Sequence, residues 1–168
     1  ECETLAGIAP TVLVVADGDV LGSEPAQAVC LGVVWLWPAA PVWTVPPAVV
    51  VACWAVIGAA LLLGLAGAGL LGRSLRVHPA PPERAVLRTS GAYRYVRHPI
   101  YVAVLVGSLA GAVLAGRPEP LVGWVALAVV LHVKAGYEEG LLRARFGEAY
   151  DLYASRVPRL VPRPGRRR

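Results

Sequence analysis

From Pro25 to Gly72 the chain runs for 48 residues without a single Asp, Glu, Lys or Arg. A surface facing water needs charged groups at frequent intervals, so a run of this length must be solvated by something other than water. Two shorter uncharged runs follow, Pro99–Gly116 with 18 residues and Pro120–Val133 with 14. Across all 168 residues only 16% are charged, against about 25% in a soluble domain. A helix crosses a bilayer with about 20 apolar residues, so these runs predict an all-α, polytopic helical membrane protein with about four to five transmembrane helices. Disorder, a disulfide-stapled scaffold and a secreted enzyme are excluded.

The net charge of +5 is distributed by position and forms no patch. No basic residue precedes Arg73; six lie in Arg73–Arg97, eight in Arg143–Arg168, and only Arg117 and Lys134 fall elsewhere. Basic clusters at alternate ends of apolar spans mark the cytoplasmic side of an integral membrane protein. The partner they imply is the lipid bilayer, with no nucleic acid. Cys2, Cys30 and Cys53 are too widely spaced to imply a disulfide set or a metal site. Leu5–Ala16 is apolar but only 12 residues long. With no basic residue before it, it does not read as a signal peptide.

Residues 1–72 are expected to hold the N-terminal membrane spans. Trp35, Trp37 and Trp43 suit an interfacial belt, and Pro38, Pro41, Pro46 and Pro47 a turn between two spans. Gly67, Gly69 and Gly72 spell G-x-G-x-x-G, but inside a membrane helix these are helix-packing glycines. Residues 73–168 are expected to form the functional core. It comprises a cytoplasmic loop Arg73–His98, a helical hairpin over 99–137, and a cytoplasmic amphipathic C-terminal helix with a basic end. Gly107 and Gly111 offer the hairpin a small-residue face. In the tail, Leu142, Phe146, Tyr150, Tyr153 and Val157 recur at helical spacing. Glu138 shares that stripe and is expected to face protein. Glu139 stands four residues before Arg143 and is expected to face water as an i,i+4 pair.

The densest polar cluster is Gly91–Tyr101. Proline disfavours helix at His98 and suits a first helical position, so a helix is expected to begin at Pro99 with His98 as its cap. Free N–H groups there, beside Arg97 and His98, make a site for an anion. An arginine- and tyrosine-rich membrane border, which needs no ligand, has the same composition.

Ser90–Tyr101, followed by Glu138-Glu139-xx-Leu142, Phe146-Gly147, Tyr150-xx-Tyr153 and Val157-Pro158, resembles the isoprenylcysteine carboxyl methyltransferase family and the related phospholipid N-methyltransferases. The resemblance covers roughly residues 71–162. Arg97-His98-Pro99-x-Tyr101 followed by the paired glutamates and then Phe-Gly is a specific combination. There are two departures. Ala103 stands where the family usually has Gly, and Gly91-Ala92-Tyr93 where it usually has Gly-Pro-Tyr.

The resemblance implies a small helical membrane enzyme that uses S-adenosylmethionine, with Arg97, His98, Tyr101, Glu138 and Glu139 as cofactor contacts. Arg97, His98 and the helix start at Pro99 suit the cofactor's carboxylate. Glu138 suits its amine or ribose, and Tyr93, Tyr101 and Tyr150 can wall or hydrogen-bond its rings. The acceptor is expected to be lipidic or prenylated. A carboxylate acceptor needs a cation, for which Arg94, Arg156 and Arg159 are available. An amine acceptor needs a base, for which His132 is placed. Membrane sterol reductases, which use NADPH, share part of the pattern as Arg-His-x-Asn-Tyr-x-Gly-Asp; here both the Asn and the Asp are missing. A non-catalytic family member is the third reading.

Overall fold

Prolines stand where the long helices begin. The computed structural model describes residues 23–38, 40–71 and 87–161. Among them are five α-helices and no strand: α1 (Ser23–Leu36), α2 (Pro47–Leu71), α3 (Pro99–Leu114), α4 (Glu119–Phe146) and α5 (Glu148–Arg156), with a 3-10 turn over Gly91–Arg94. Pro47, Pro99 and Pro120 fall in the first turns of α2, α3 and α4, where a missing N–H costs nothing. The start of α3 at Pro99 with His98 as cap is as expected. Among the described residues, α2 and α4 are long and apolar enough to cross a membrane, while α1 and α3 are apolar but shorter. The segment Leu5–Ala16, Gly72, the loop through residue 86 and the basic end Arg163–Arg168 lie outside the described residues.

The first four helices alternate in direction. At one end the Val42 and Trp43 amides donate to the Gly116 carbonyl at 2.8 and 3.0 Å, joining the α1–α2 connection to the α3–α4 turn. That turn needs glycine: Gly116 has φ +65°, and a Cβ there would meet the Trp43 carbonyl oxygen at 2.7 Å. Buried Arg117 donates from the same turn to the Trp37 carbonyl. At the opposite end α2 abuts the start of α3, where a Cβ on Gly67 would lie 3.1 Å from Ile100 Cγ1. Gly67 is therefore a packing glycine, whereas Gly69 has open space beside it.

Small residues set how closely the helices approach, as they must where lipid supplies no hydrophobic drive between helices. Gly107 meets Ala60 of α2, and the buried Ala103 meets Gly64. The extra methyl at Ala103 is thus absorbed by a glycine on the facing helix. Gly111 and Gly123 instead face α1, where added Cβ atoms would come within 2.7 Å of the Trp35 ring and 2.8 Å of Val33 Cγ1. The apolar centre is correspondingly thin: Cys53 and Ile57 of α2 against Ala110 of α3, flanked by Val113 and Leu114. Val51, Trp54, Leu61, Leu62 and Leu65 of α2 point outward and exposed, a surface that is stable against acyl chains and not against water.

The tail departs from a single continuous helix. α4 continues through Tyr137 to Phe146, so the second arm of the hairpin extends beyond residue 137. It ends at Gly147, whose φ of +52° suits glycine, and α5 starts afresh at Glu148. The chain then folds back, so that the Arg97 and His98 amides donate to the Pro158 and Arg159 carbonyls at 2.9 and 3.2 Å.

Packing this close yields a direct prediction. Gly123→Ala must displace Val33, whose Cβ and the nearby Cys30 backbone are held in α1, and is expected to cost about 1–3 kcal/mol as an overpacked contact. Gly69→Ala has room and is expected to be neutral or to stabilise α2 by up to about 1 kcal/mol. Thermal unfolding of both variants in one detergent checks the pair.

Candidate functional site

The paired glutamates lie near the C-terminal end of α4, where successive residues turn by about 100° and so face different neighbours. Glu139 is fully buried. Its Oε1 accepts from Arg159 Nε at 2.9 Å and lies 3.0 Å from Arg97 Nη2, and its Oε2 accepts from Arg159 Nη2 at 2.8 Å. Arg159 thereby grips both oxygens as a fork, and this bond raises its pKa above the ordinary arginine value. Arg97 also donates through Nη1 to the Ala154 carbonyl at 2.9 Å.

This reverses the expected facing of the two acids. Glu139, expected toward water and Arg143, is the buried one. Glu138, expected to face protein, keeps 23% of its side chain exposed. The i,i+4 partner was taken elsewhere: Arg143 pairs with Asp151 at 3.0 Å across the bend at Gly147. A carboxylate removed from water needs several charged donors, and among the described residues the 97–98 segment and the folded-back tail supply them.

His98 bridges the two acids. Its Nε2 is 3.3 Å from Glu139 Oε1 and its Nδ1 is 3.5 Å from Glu138 Oε2. Only the imidazolium donates at both nitrogens. Burial pushes the His98 pKa down, but the hydrogen bonds and charges of Glu138 and Glu139 outweigh it, and the net shift is upward. Tyr101 stacks on the imidazole, with ring centroids 5.2 Å apart and planes 8° from parallel, and donates its hydroxyl to Glu138 Oε1. Glu138 is thus held on both oxygens and remains the accessible acid.

Tyrosines line the same end. Tyr93 in the 3-10 turn is pushed up to about 12, first by burial and then by the Glu138 charge. Tyr150 is almost wholly buried and likewise pushed up to about 12, by burial and then by Glu139. The Arg143 guanidinium lies 5.6 Å from the Tyr150 ring centre. Tyr153, a residue of the tail's helical stripe and of the Tyr150-xx-Tyr153 motif, donates to the Tyr93 carbonyl at 2.7 Å and fastens α5 over the turn.

Of the residues expected at the site, Tyr93, Arg97, His98, Tyr101, Glu138, Glu139 and Tyr150 come together at one end of the bundle. Pro99 is fully buried and packs toward α2, where a Cβ on Gly67 would lie 3.4 Å from its Cγ. Arg94 and Arg156 are exposed, and Glu139 is held without them. Arg159, read as an acceptor cation, is instead bound to Glu139. His132 is exposed on α4, with Arg159 Nη1 at 3.5 Å. Lys134 is not among the expected site residues, and its sequence signal is a lone ammonium within a charge-poor span. It is buried and paired with Glu24 of α1.

The model of the isoprenylcysteine carboxyl methyltransferase (ICMT) family matches residues 50–144, taking in most of α2, all of α3 and most of α4 with both glutamates. The chain belongs to this family. Over 84 residues it is 37% identical to protein-S-isoprenylcysteine O-methyltransferase B of Arabidopsis thaliana, which covers 48% of this chain and 41% of the relative. Over 78 residues it is 33% identical to the protein-S-isoprenylcysteine O-methyltransferase of Schizosaccharomyces pombe, covering 46% and 33%. The chain therefore matches less than half the length of either relative. No solved structure matches it. Helices α1 and α5, and Arg159, lie outside the residues that the family model matches.

Two outcomes follow from the burial of Glu139. Glu139→Gln leaves guanidinium groups without their counter-charge and is expected to destabilise by about 3–5 kcal/mol, as when one partner of a buried pair is removed. Glu138→Gln, at a partly exposed position and with Tyr101 still able to donate, is expected to cost much less; chemical unfolding in micelles compares them. The His98 pKa is raised on folding, so its contribution is complete below its ordinary value of 6.5 and is lost as pH rises through the folded value. Melting temperature is expected to fall over that alkaline-going window in the wild type, and that component is expected to vanish in His98→Asn.

Proposed function

We propose that this chain is an integral membrane methyltransferase that transfers a methyl group from S-adenosylmethionine to the carboxylate of a lipidic or prenylated acceptor. One observation carries the reading: His98 and Tyr101 converge on Glu138 and Glu139 where an otherwise apolar bundle turns polar. The names of the two relatives favour O-methylation over N-methylation. A carboxylate is already ionised near neutral pH and needs no base, in keeping with a cluster rich in cations.

The residues present fit the cofactor. Glu138 is a partly exposed acid suited to an ammonium or to ribose hydroxyls. The Tyr150 hydroxyl and Arg97 Nε are buried polar atoms without hydrogen-bond partners among the described residues. We assign cofactor contact to Tyr93, Tyr101, Glu138 and Tyr150, and to the α3 start at Pro99. Arg97, His98 and Glu139 hold that surface in position. When bound, the cofactor supplies a methyl group already activated on a sulfonium. The protein's own task is then to align two reactants and exclude water. Arg94 and Arg156, near the same end, are assigned to drawing in an anionic acceptor.

We further read α1 through α4 as four membrane spans, with the site end cytoplasmic and α5 an amphipathic cover along that face. The arginines at 88, 94, 97, 143, 145, 156 and 159 gather toward it, as the positive-inside rule requires. Detergent-purified protein is expected to bind labelled S-adenosylmethionine saturably and to leave NADPH unbound. It is expected to transfer label to an S-prenylated cysteine bearing a free carboxylate. In Glu138→Gln, transfer is expected to fall about tenfold or more, as for loss of a charge-assisted hydrogen bond, while the fold survives. NADPH binding, or transfer undiminished in Glu138→Gln, would sink the assignment.

A further inference from the structure

The Glu24–Lys134 pair has no part in the cluster around Glu139. Lys134 sits one helical turn before Glu138 on the same side of α4, a spacing that brings Cβ atoms to about 5–6 Å. Its side chain is 8% exposed, whereas that of Glu24 is 40% exposed. The pair joins the first turn of α1 to the middle of a candidate membrane span. Its geometry is imposed from the far end. Val33 and Trp35 seat against Gly123 and Gly111, which fixes α1 antiparallel to α4. Glu24 is thereby delivered to Lys134.

The other cations of this end are engaged differently. Arg97 and Arg159 are bound to a fully buried carboxylate, and His98 lies between two acids. Lys134 is a buried cation whose counter-ion is itself substantially exposed and belongs to a different helix, whereas in the Arg143–Asp151 pair, which also joins two helices, both side chains are open to solvent. A buried ammonium must keep an anion beside it. One carboxylate can be exchanged for another without leaving that charge bare. A released Glu24 stays favourable in the first turn of α1, where the helix dipole prefers an acid.

We infer that Lys134 receives the carboxylate of the acceptor, and that Glu24 is an internal carboxylate holding that place until an acceptor displaces it. This rests on the methyltransferase reading above and specifies its acceptor side. The ammonium contributes binding and orientation of an anion already poised to react. The lipid chain of the acceptor remains in the membrane, beside the helix that carries the lysine. Glu24 then competes for the site and sets acceptor affinity.

The test uses the full chain in lipid nanodiscs, with an N-acetylated S-prenylated cysteine as acceptor and its carboxamide as the uncharged control. Wild type is expected to bind the acid more tightly than the amide. Lys134→Met, which keeps length and suits an apolar span, is expected to lose that preference. It is also expected to raise acceptor KM about tenfold or more, as for loss of a charged hydrogen bond, with S-adenosylmethionine affinity unchanged. Lys134→Arg is expected to retain much of the preference. Glu24→Gln is expected to lower acceptor KM severalfold, since it removes the competitor. The proposal is overturned if wild type binds acid and amide alike, if Lys134→Met keeps the preference, or if Glu24→Gln raises KM as Lys134→Met does. Discrimination without any methyl transfer by wild type would uphold this site and overturn the enzymatic reading instead.

Discussion

A carboxylate at zero exposure in a thin-cored helical bundle is the constraint around which the rest is arranged. Glu139 stands where water does not reach, and leaving it ionised requires several donors at once. Arg97 and His98 come from the segment before α3, and Arg159 from beyond α5. Meeting that requirement pins the start of α3 and the folded-back tail against the end of α4. The backbone bonds from Arg97 and His98 to Pro158 and Arg159 close the same joint. Glu138 follows from it: the next residue on the helix is rotated toward the open side, where Tyr101 and His98 hold it without covering it.

The two ends of the bundle are held by different means. At the turn end, Gly116 lets two connections touch, and Arg117 reaches the Trp37 carbonyl. At the site end, ion pairs and tyrosine hydroxyls do the holding. Between them lie mostly small residues, with the Gly107–Ala60 and Ala103–Gly64 approaches bringing α2 and α3 together. Helices surrounded by lipid gain little from burying apolar side chains against one another, so close backbone approach and terminal polar contacts must supply the cohesion. The candidate site is built on these terminal contacts and is therefore also part of the frame: Arg97 binds both the Glu139 carboxylate and the Ala154 carbonyl.

Helix type, the start at Pro99, the helical hairpin that begins there, the packing role of Gly67 and the set of residues around His98 and Glu138 were all legible in the chain. They depend on local rules: uncharged length, the φ of proline and the recurrence of motif residues. The facing of the two glutamates was not. The i,i+4 rule assigned Glu139 to Arg143, but Asp151 took that arginine and Arg159, twenty residues on, took the acid. The end of α4 was also misplaced, because a helical stripe looks the same whether or not Gly147 interrupts it at positive φ.

What the sequence determined by itself was an all-helical chain with membrane-length spans, a polar cluster at one end and the family to which these residues belong. These follow from composition and from short-range spacing, which folding does not alter. Only the tertiary structure decided which acid is buried and which is open, that Arg159 is a clamp, and that Glu24 of α1 meets Lys134 of α4. Each of these pairs residues at least twenty positions apart. Charge partners at such separations are chosen by where the backbone returns, and glycines at 111, 123 and 147 set that return in three dimensions.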